Sequence, residues 1–317
     1  MDDHNQAIIR ASWIGVLGNA FLSLLKIVVG ILSGSLAVIA DGIDSASDIL
    51  TSLITLFTAR IMRRPPDIKY PYGYLKADTI ATKALAFVIL FAGAQLAIGT
   101  VRNFLQGAER ELPGMVAIYV TLVSIAGKFL LARQQLRMGR KTNSEMLKAN
   151  ALNMQNDILI SVSVLVGLAF TFVFKLPVLD SLTAFLVSIW ILKVGLQIFM
   201  QTNRELMDAN TAPELYEKVF SAVDRTEGAR NPHRLRIRKI GNYFMIVLDI
   251  EVDGEISTLE AHKICINVEA SIRREIKNVF DIMIHIEPAG FKHDEEVYGI
   301  SPRDLASRPG QNREKKL

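Results

Sequence analysis

Six long apolar runs fill the chain between about residue 14 and residue 201, and a bilayer admits few ways of folding them. Roughly 20 residues of helix cross the hydrocarbon core, where every backbone N–H and C=O must be satisfied within the protein. The runs cover residues 14–32, 36–61, 79–104, 115–133, 147–174 and 178–201, and each predicts a membrane helix. Ser33-Gly34-Ser35 and Lys175-Leu176-Pro177 leave room only for tight turns, so helices 1 and 2 pair as a hairpin, as do helices 5 and 6. Half of the residues are hydrophobic and mean hydropathy is +0.28, with the apolar residues concentrated ahead of residue 201.

Two stretches break this pattern: Asp41-Gly42-Ile43-Asp44-Ser45-Ala46-Ser47-Asp48 in helix 2 and Asn150-Ala151-Leu152-Asn153-Met154-Gln155-Asn156-Asp157 in helix 5. Each sets a polar side chain one turn before an Asp, so both fall on one helix face. An acid at mid-bilayer costs about 3 kcal/mol or more, and it faces a partner, water or an ion. If the two helices meet, Asp44, Asp48, Asn153 and Asp157 form a four-oxygen cage for a divalent cation. Asp41 and Asn150, one turn earlier on the same faces, would line a secondary cavity. The plainer alternative, helix-to-helix hydrogen bonding, suits a lone residue such as Asn19 better than two pairs containing three carboxylates. Lys26, Lys83, Lys128 and Lys193 lie in or near the runs and are expected to snorkel toward an interface.

Net charge is +4, but the basic residues cluster in loops, a pattern that orients a membrane protein and does not point to nucleic acid. Arg60, Arg63, Arg64, Lys69 and Lys76 follow helix 2, and Arg133, Arg137, Arg140, Lys141 and Lys148 flank the connection from helix 4 to helix 5. The opposite loops carry only Arg102, Arg110 and Lys175. The positive-inside rule places both termini in the cytoplasm of a multi-pass protein of the cell (inner or plasma) membrane. A single cysteine, Cys265, excludes a disulfide framework and a cysteine-rich metal site. Met1-Asp2-Asp3-His4-Asn5 has no basic signal-peptide start, so the first run is expected to be retained.

After Asn203 the pattern changes to that of a soluble fold. Residues 213–225 and 259–276 have helical spacing, whereas 233–239, 243–252 and 279–286 read as strands, with a hairpin signal at Gly241-Asn242. The order αββαβ predicts a small α+β domain with its helices on one sheet face. The expected organisation is an all-α six-helix transmembrane domain over residues 1–208, a cytoplasmic α+β domain over 209–290, and a tail without fixed structure over 291–317.

These features resemble the cation diffusion facilitator family of divalent-metal/proton antiporters. Gly34-Ser35-Leu36-Ala37 with Asp44 and Asp48 is similar to the family's second helix, and Pro71-Tyr72-Gly73-Tyr74-Leu75-Lys76-Ala77 to the following loop. His233-Arg234-Leu235-Arg236, Ala261-His262 and Ile284-His285-Ile286-Glu287-Pro288 resemble its metallochaperone-like cytoplasmic domain. The resemblance implies a homodimer that exports metal from the cytoplasm against inward proton movement, with the divalent ion as substrate and no prosthetic group. It also implies a transport site at Asp44, Asp48, Asn153 and Asp157. In the cytoplasmic domain it implies a regulatory metal site drawn from His233, Asp249, His262, His285 and Glu287, and an interlock between Lys76 and Asp208.

Two departures from the family pattern matter. Many members carry His where this chain has Asn153, and an all-oxygen set favours Mn²⁺ over Zn²⁺ on hardness, with Fe²⁺ and Zn²⁺ next. Asn does not titrate, so proton exchange falls to Asp44, Asp48 and Asp157. In the loop after helix 2, Asp67 is accompanied by Tyr70 and Tyr74 in place of His, so no metal site is expected there. Two other classes compete with this reading. An intramembrane aspartyl protease predicts Gly-x-Gly-Asp, which Ala40-Asp41-Gly42-Ile43-Asp44 does not match. A metal-regulated membrane scaffold that transports nothing predicts loss of the carboxylates, and they are present.

Overall fold

The computed structural model describes residues 2–105, 111–141, 145–209, 213–241, 243–290 and 298–306. Asn242 of the expected hairpin turn, Arg110, His293 and most of the tail from 291 lie outside them, as does the side chain of His4.

Among the described residues the first part of the chain forms six long helices. They are α1 (Asp2–Ser33), α2 (Leu36–Met62), α3 (Ala77–Leu105), α4 (Val116–Lys141), α5 (Glu145–Phe174) and α6 (Val178–Leu206). Five are long and apolar enough to cross a membrane by composition; α2, interrupted by its acids, is the sixth member of the set. Gly34 turns the chain between α1 and α2 with φ of 71°, and Lys175 does so between α5 and α6 with φ of 51°. Phe21, Phe57, Phe91 and Val173 are outward-facing and exposed, as lipid-facing side chains must be. Ala37, Val38, Ala40, Leu85, Ile89, Val164, Leu168 and Ile191 fill the bundle interior.

Two local devices fix α2. Ser35 caps it, accepting from the Val38 N–H at 3.2 Å and donating to Asp180 Oδ1 at 2.6 Å, while the Leu36 N–H donates to Asp180 Oδ2 at 2.8 Å. The buried Asp180, in the first turn of α6, thus satisfies donors that a helix start leaves orphaned. Nearly two turns further on, α1 and α2 approach closely at glycine: a Cβ on Gly42 would sit 2.7 Å from Ile27 Cγ1 and 3.2 Å from Lys26 Cβ.

The second compact unit comprises residues 66–79 and 201–317. It carries α7 (Pro213–Asp224), β1 (Arg230–Ile240), β2 (Tyr243–Val252), α8 (Thr258–Glu275) and β3 (Val279–Pro288). The sheet order is β1-β2-β3, with β1 antiparallel and β3 parallel to β2. Ile246, Leu248 and Ile250 of β2 face Val219, Phe220 and Val223 of α7 and Val268 and Ile272 of α8 in one core. Ser257 and Glu260 form a reciprocal capping box at the start of α8.

The structure departs from expectation in the tail. Ile300 bridges Leu235 at the edge of β1, and a short helix α9 (Pro302–Ala306) follows, with Asp304 accepting from the backbone and hydroxyl of Ser301. Ile300 and Leu305 pack on the cytoplasmic core, and this anchors a segment whose polar composition had suggested no fixed structure.

Candidate functional site

In the membrane unit, Asp44 and Asp48 lie on one side of α2, both half-buried, and Asp157 on α5 is buried. Asp48 is a close neighbour of Asp157, and Asp44 lies within electrostatic reach of both. Three acids from two helices thus converge. Asn153 stands one turn before Asp157 on α5 and Asn150 a further turn back on the same strip; both are exposed. The amide is therefore a neighbour of the carboxylate cluster, open to its surroundings, and not part of its buried centre.

The lysines correct the reading from sequence. Lys26 and Lys128 do not reach an interface; both are fully buried. Lys128 of α4 donates to Asp157 Oδ2 at 2.8 Å and to Ser45 Oγ of α2 at 2.8 Å. Lys26 of α1 pairs with Asp41 Oδ2 of α2 at 2.7 Å and donates to Ser161 Oγ of α5 at 2.9 Å. Ser161 in turn donates to Asp41 Oδ1 at 3.0 Å. Asp41, which the spacing assigned to a cavity wall, is fully buried in this second pair. The arrangement is reciprocal: each lysine binds the acid on the next helix of the chain and the serine on the helix that carries the other acid. A signal was available in Asp41-x-x-x-Ser45 and Asp157-x-x-x-Ser161, a repeat that places an acid and a hydroxyl one turn apart on both helices. Lys83 and Lys193 differ, with ammonium groups over the rings of Phe199 and Trp190 at 5.4 and 5.2 Å.

In the cytoplasmic domain, His233, Asp249 and Glu287 are all buried, and each offers a ligand atom within 4.8 Å of the others. The sheet register explains the convergence, since His233 pairs with Asp249 across β1 and β2, and Glu251 with Glu287 across β2 and β3. β1 is irregular on both sides of His233, where Asn231 and Arg234 adopt φ of 45° and 49°. Such bulges re-aim a side chain, and His233 Nε2 reaches Glu287 Oε2 at 3.1 Å while Nδ1 faces the Asn231 carbonyl at 2.7 Å. Of the other sequence candidates, His285 is at the rim, largely exposed, its Nε2 3.5 Å from Glu287 Oε1. His262 on α8 is exposed and outside the cluster. One partner went unforeseen: Arg234 donates to Asp249 Oδ2 at 2.8 Å, and its guanidinium lies 4.8 Å from the Tyr298 ring centroid.

Lys76 Nζ lies 3.2 Å from Asp208 Oδ1, and Arg238 approaches the same carboxylate at 3.7 Å. In the loop after α2, Asp67 is occupied as a hydrogen-bond acceptor. It takes the Tyr74 hydroxyl at 2.7 Å and the backbone N–H groups of Tyr70 and Lys69 at 2.7 and 2.9 Å. The Tyr74 hydroxyl first, then these N–H groups, hold its carboxyl below the ordinary Asp range.

Comparison with known proteins agrees with this layout. A family model for the cation efflux transmembrane domain matches residues 12–207, and one for the cytoplasmic domain of cation efflux proteins matches residues 211–289. The manganese efflux system protein MneP of Bacillus subtilis (strain 168) is 25% identical over 285 residues, covering 88% of this chain and 95% of MneP. The magnetosome protein MamB of Magnetospira sp. (strain QH-2) is 28% identical over 276 residues, covering 87% and 94%. An uncharacterized transporter of Methanocaldococcus jannaschii is 30% identical over 278 residues, covering 86% and 96%. With both domain models matched in series over the helices and the sheet described above, the chain belongs to the cation diffusion facilitator family, whose members are metal efflux transporters and not enzymes.

Proposed function

We propose that this transporter exports Mn²⁺ from the cytoplasm in exchange for protons, binding the metal at Asp44, Asp48 and Asp157, with Asn153 turning in from its exposed position to complete the set. One observation carries the reading: three carboxylates from α2 and α5 converge within helices that are otherwise apolar. Oxygen donors favour a hard divalent ion over Zn²⁺, and no imidazole or thiol is offered by the matched positions. Fe²⁺ and Zn²⁺ rank behind Mn²⁺, since the Irving–Williams order works against the hardness preference. The manganese efflux of MneP and of a second relative, the manganese efflux system protein MneS of the same organism, 26% identical over 268 residues, lends support.

Proton coupling follows from competition. A carboxylate must be deprotonated to hold metal, so protons arriving from outside release it, and metal arriving from the cytoplasm releases protons. Helix motion that opens the site to one side at a time makes this exchange vectorial. The basic loops orient both termini and the second unit toward the cytoplasm. There His233, Asp249 and Glu287 have the donor chemistry to hold a borderline divalent ion, and their two acids outnumber the one Arg234 cation beside them. Such binding in a homodimer gives the cytoplasm a means of reporting metal load to the helices. The scaffold reading lacks support, because the acids it would have lost are retained.

The test is uptake into proteoliposomes under an imposed pH gradient, with Mn²⁺, Fe²⁺, Zn²⁺ and Co²⁺ supplied separately. Mn²⁺ flux that depends on the gradient and is lost in Asp48→Ala and Asp157→Ala is the expected outcome. Gradient-independent flux would remove the antiport, and undiminished flux in both variants would falsify the assignment of the site.

A further inference from the structure

We propose that Lys128 is a tethered counter-ion of the transport site: its ammonium occupies Asp157 when metal is absent, and only a divalent cation displaces it. The proposal rests on the assignment of Asp157 as a metal ligand and adds a residue that decides which charge the site accepts.

The two buried lysines share a pattern but not a setting. Asp41 is engaged at both oxygens, by Lys26 at 2.7 Å and by Ser161 at 3.0 Å, which makes a closed structural pair. Asp157 is engaged by Lys128 at one oxygen and has Asp48 as a close neighbour, so its carboxylate lies between a lysine and the other acids. Lys128 is therefore the buried cation that touches a proposed ligand. Its other contact is the Ser45 hydroxyl at 2.8 Å, a neutral group on the face of α2 that carries Asp41 and Asp48. With the flexible four-carbon stem of a lysine and no second acid gripping it, the ammonium can withdraw toward Ser45 while remaining hydrogen-bonded.

Displacement is required by electrostatics. A metal ion bonded to an Asp157 oxygen and an ammonium 2.8 Å from the same carboxylate would repel strongly in a medium of low dielectric constant. A monovalent ion gains at Asp157 no more than the ammonium already supplies, and it gives up its own hydration, so it does not compete. A divalent ion brings twice the charge and recruits Asp44 and Asp48 as well. The same residue then serves the return step, because the empty transporter carries its own neutralising charge on Asp157 and protons are needed only at Asp44 and Asp48.

The experiment separates this from a merely structural role through the split between KM and kcat. Full-length protein is reconstituted in phosphatidylethanolamine/phosphatidylglycerol vesicles, and Mn²⁺ uptake is measured with and without excess Na⁺. Lys128→Met should lower KM for Mn²⁺ at least tenfold, lower kcat because metal leaves slowly, and make uptake sensitive to Na⁺. Lys128→Arg, which keeps the cation, should restore Na⁺ insensitivity. Ser45→Ala keeps both charges but removes the ammonium's resting partner, and should shift KM for Mn²⁺ upward by a few fold because the lysine then stays on Asp157. This variant tests the proposal even if Lys128→Met fails to fold. If Asp157→Asn transports Mn²⁺ like wild type, the site assignment falls and the counter-ion with it. If Asp157→Asn is inactive while neither Lys128→Met nor Ser45→Ala moves KM and Na⁺ has no effect, the counter-ion alone is overturned.

Discussion

The membrane unit and the cytoplasmic domain each bury a carboxylate at a candidate metal centre, and each already supplies that carboxylate with a cation. They choose different ones. Asp157 faces Lys128, a point charge that is wholly buried. Asp249 faces Arg234, a planar fork that is 25% exposed and stacked near Tyr298. Guanidinium held between a carboxylate and a ring is pre-organised and stays put, whereas an ammonium on a flexible stem is free to swing. On the proposed reading, the membrane centre would exchange its cation, and the cytoplasmic centre would keep its frame while a ligand comes and goes.

The largest effect is expected where the comparison is broken outright. Asp157→Ala should abolish Mn²⁺ uptake, and it leaves Lys128 buried without its acid, a loss of about 3–5 kcal/mol. Thermal unfolding in detergent alongside the flux assay checks both; unchanged melting would show that the ion pair is dispensable. Arg234→Ala is its counterpart in the cytoplasmic domain. Leaving Asp249 unpaired there should cost about 1–3 kcal/mol in denaturant unfolding, and the smaller figure reflects the water that reaches Arg234.

A smaller effect is expected from altering the chemistry of the site and not its charge. Asn153→His should move preference from Mn²⁺ toward Zn²⁺ by about tenfold, equivalent to about 1.4 kcal/mol, in parallel uptake assays. An unchanged metal profile would mean that the exposed position of Asn153 keeps it from choosing the ion. Lys76→Ala should cost less than about 1 kcal/mol, since Lys76 and Asp208 are each more than a third exposed. The smallest effect is expected for Tyr74→Phe. Asp67 has a depressed pKa, so its hydrogen bonds stabilise the fold above the unfolded Asp pKa, and this is lost as pH falls through the folded value. The wild-type advantage should therefore be present at neutral pH and vanish in acid, as a pH series of melting curves would show.

Much of this architecture could be read from residue order alone. Apolar runs bounded by Gly34 and Lys175 marked the hairpins, and the change of period after Asn203 marked the sheet. Asp44, Asp48 and Asp157 were visible because acids in an apolar helix have few innocent explanations. His233, Asp249 and Glu287 could be named but not separated from His262 and His285, because the bulges around His233 decide which side chains turn inward. The lysine pairs were illegible for a related reason. Whether Lys128 meets Asp157 depends on the rotation of three helices about their own axes, which no single helix specifies. Depth gave one clue, since about 18 Å of helix separates Lys128 from either end of α4, more than a lysine stem can bridge.

The clamp between Asp180 and the start of α2 is placed where a hinge pin would be. Two hydrogen bonds at Ser35 and Leu36 fix that end, so any swing of α2 grows with distance from it. Asp48 lies about 18 Å along the helix from Leu36. A tilt of roughly 10° there carries its carboxylate about 3 Å, enough to part it from Asp157 while Asp180 keeps its hold. On this geometry a small rotation that slid past the Asp41 pair would open or close the carboxylate cluster with no bend in the helix.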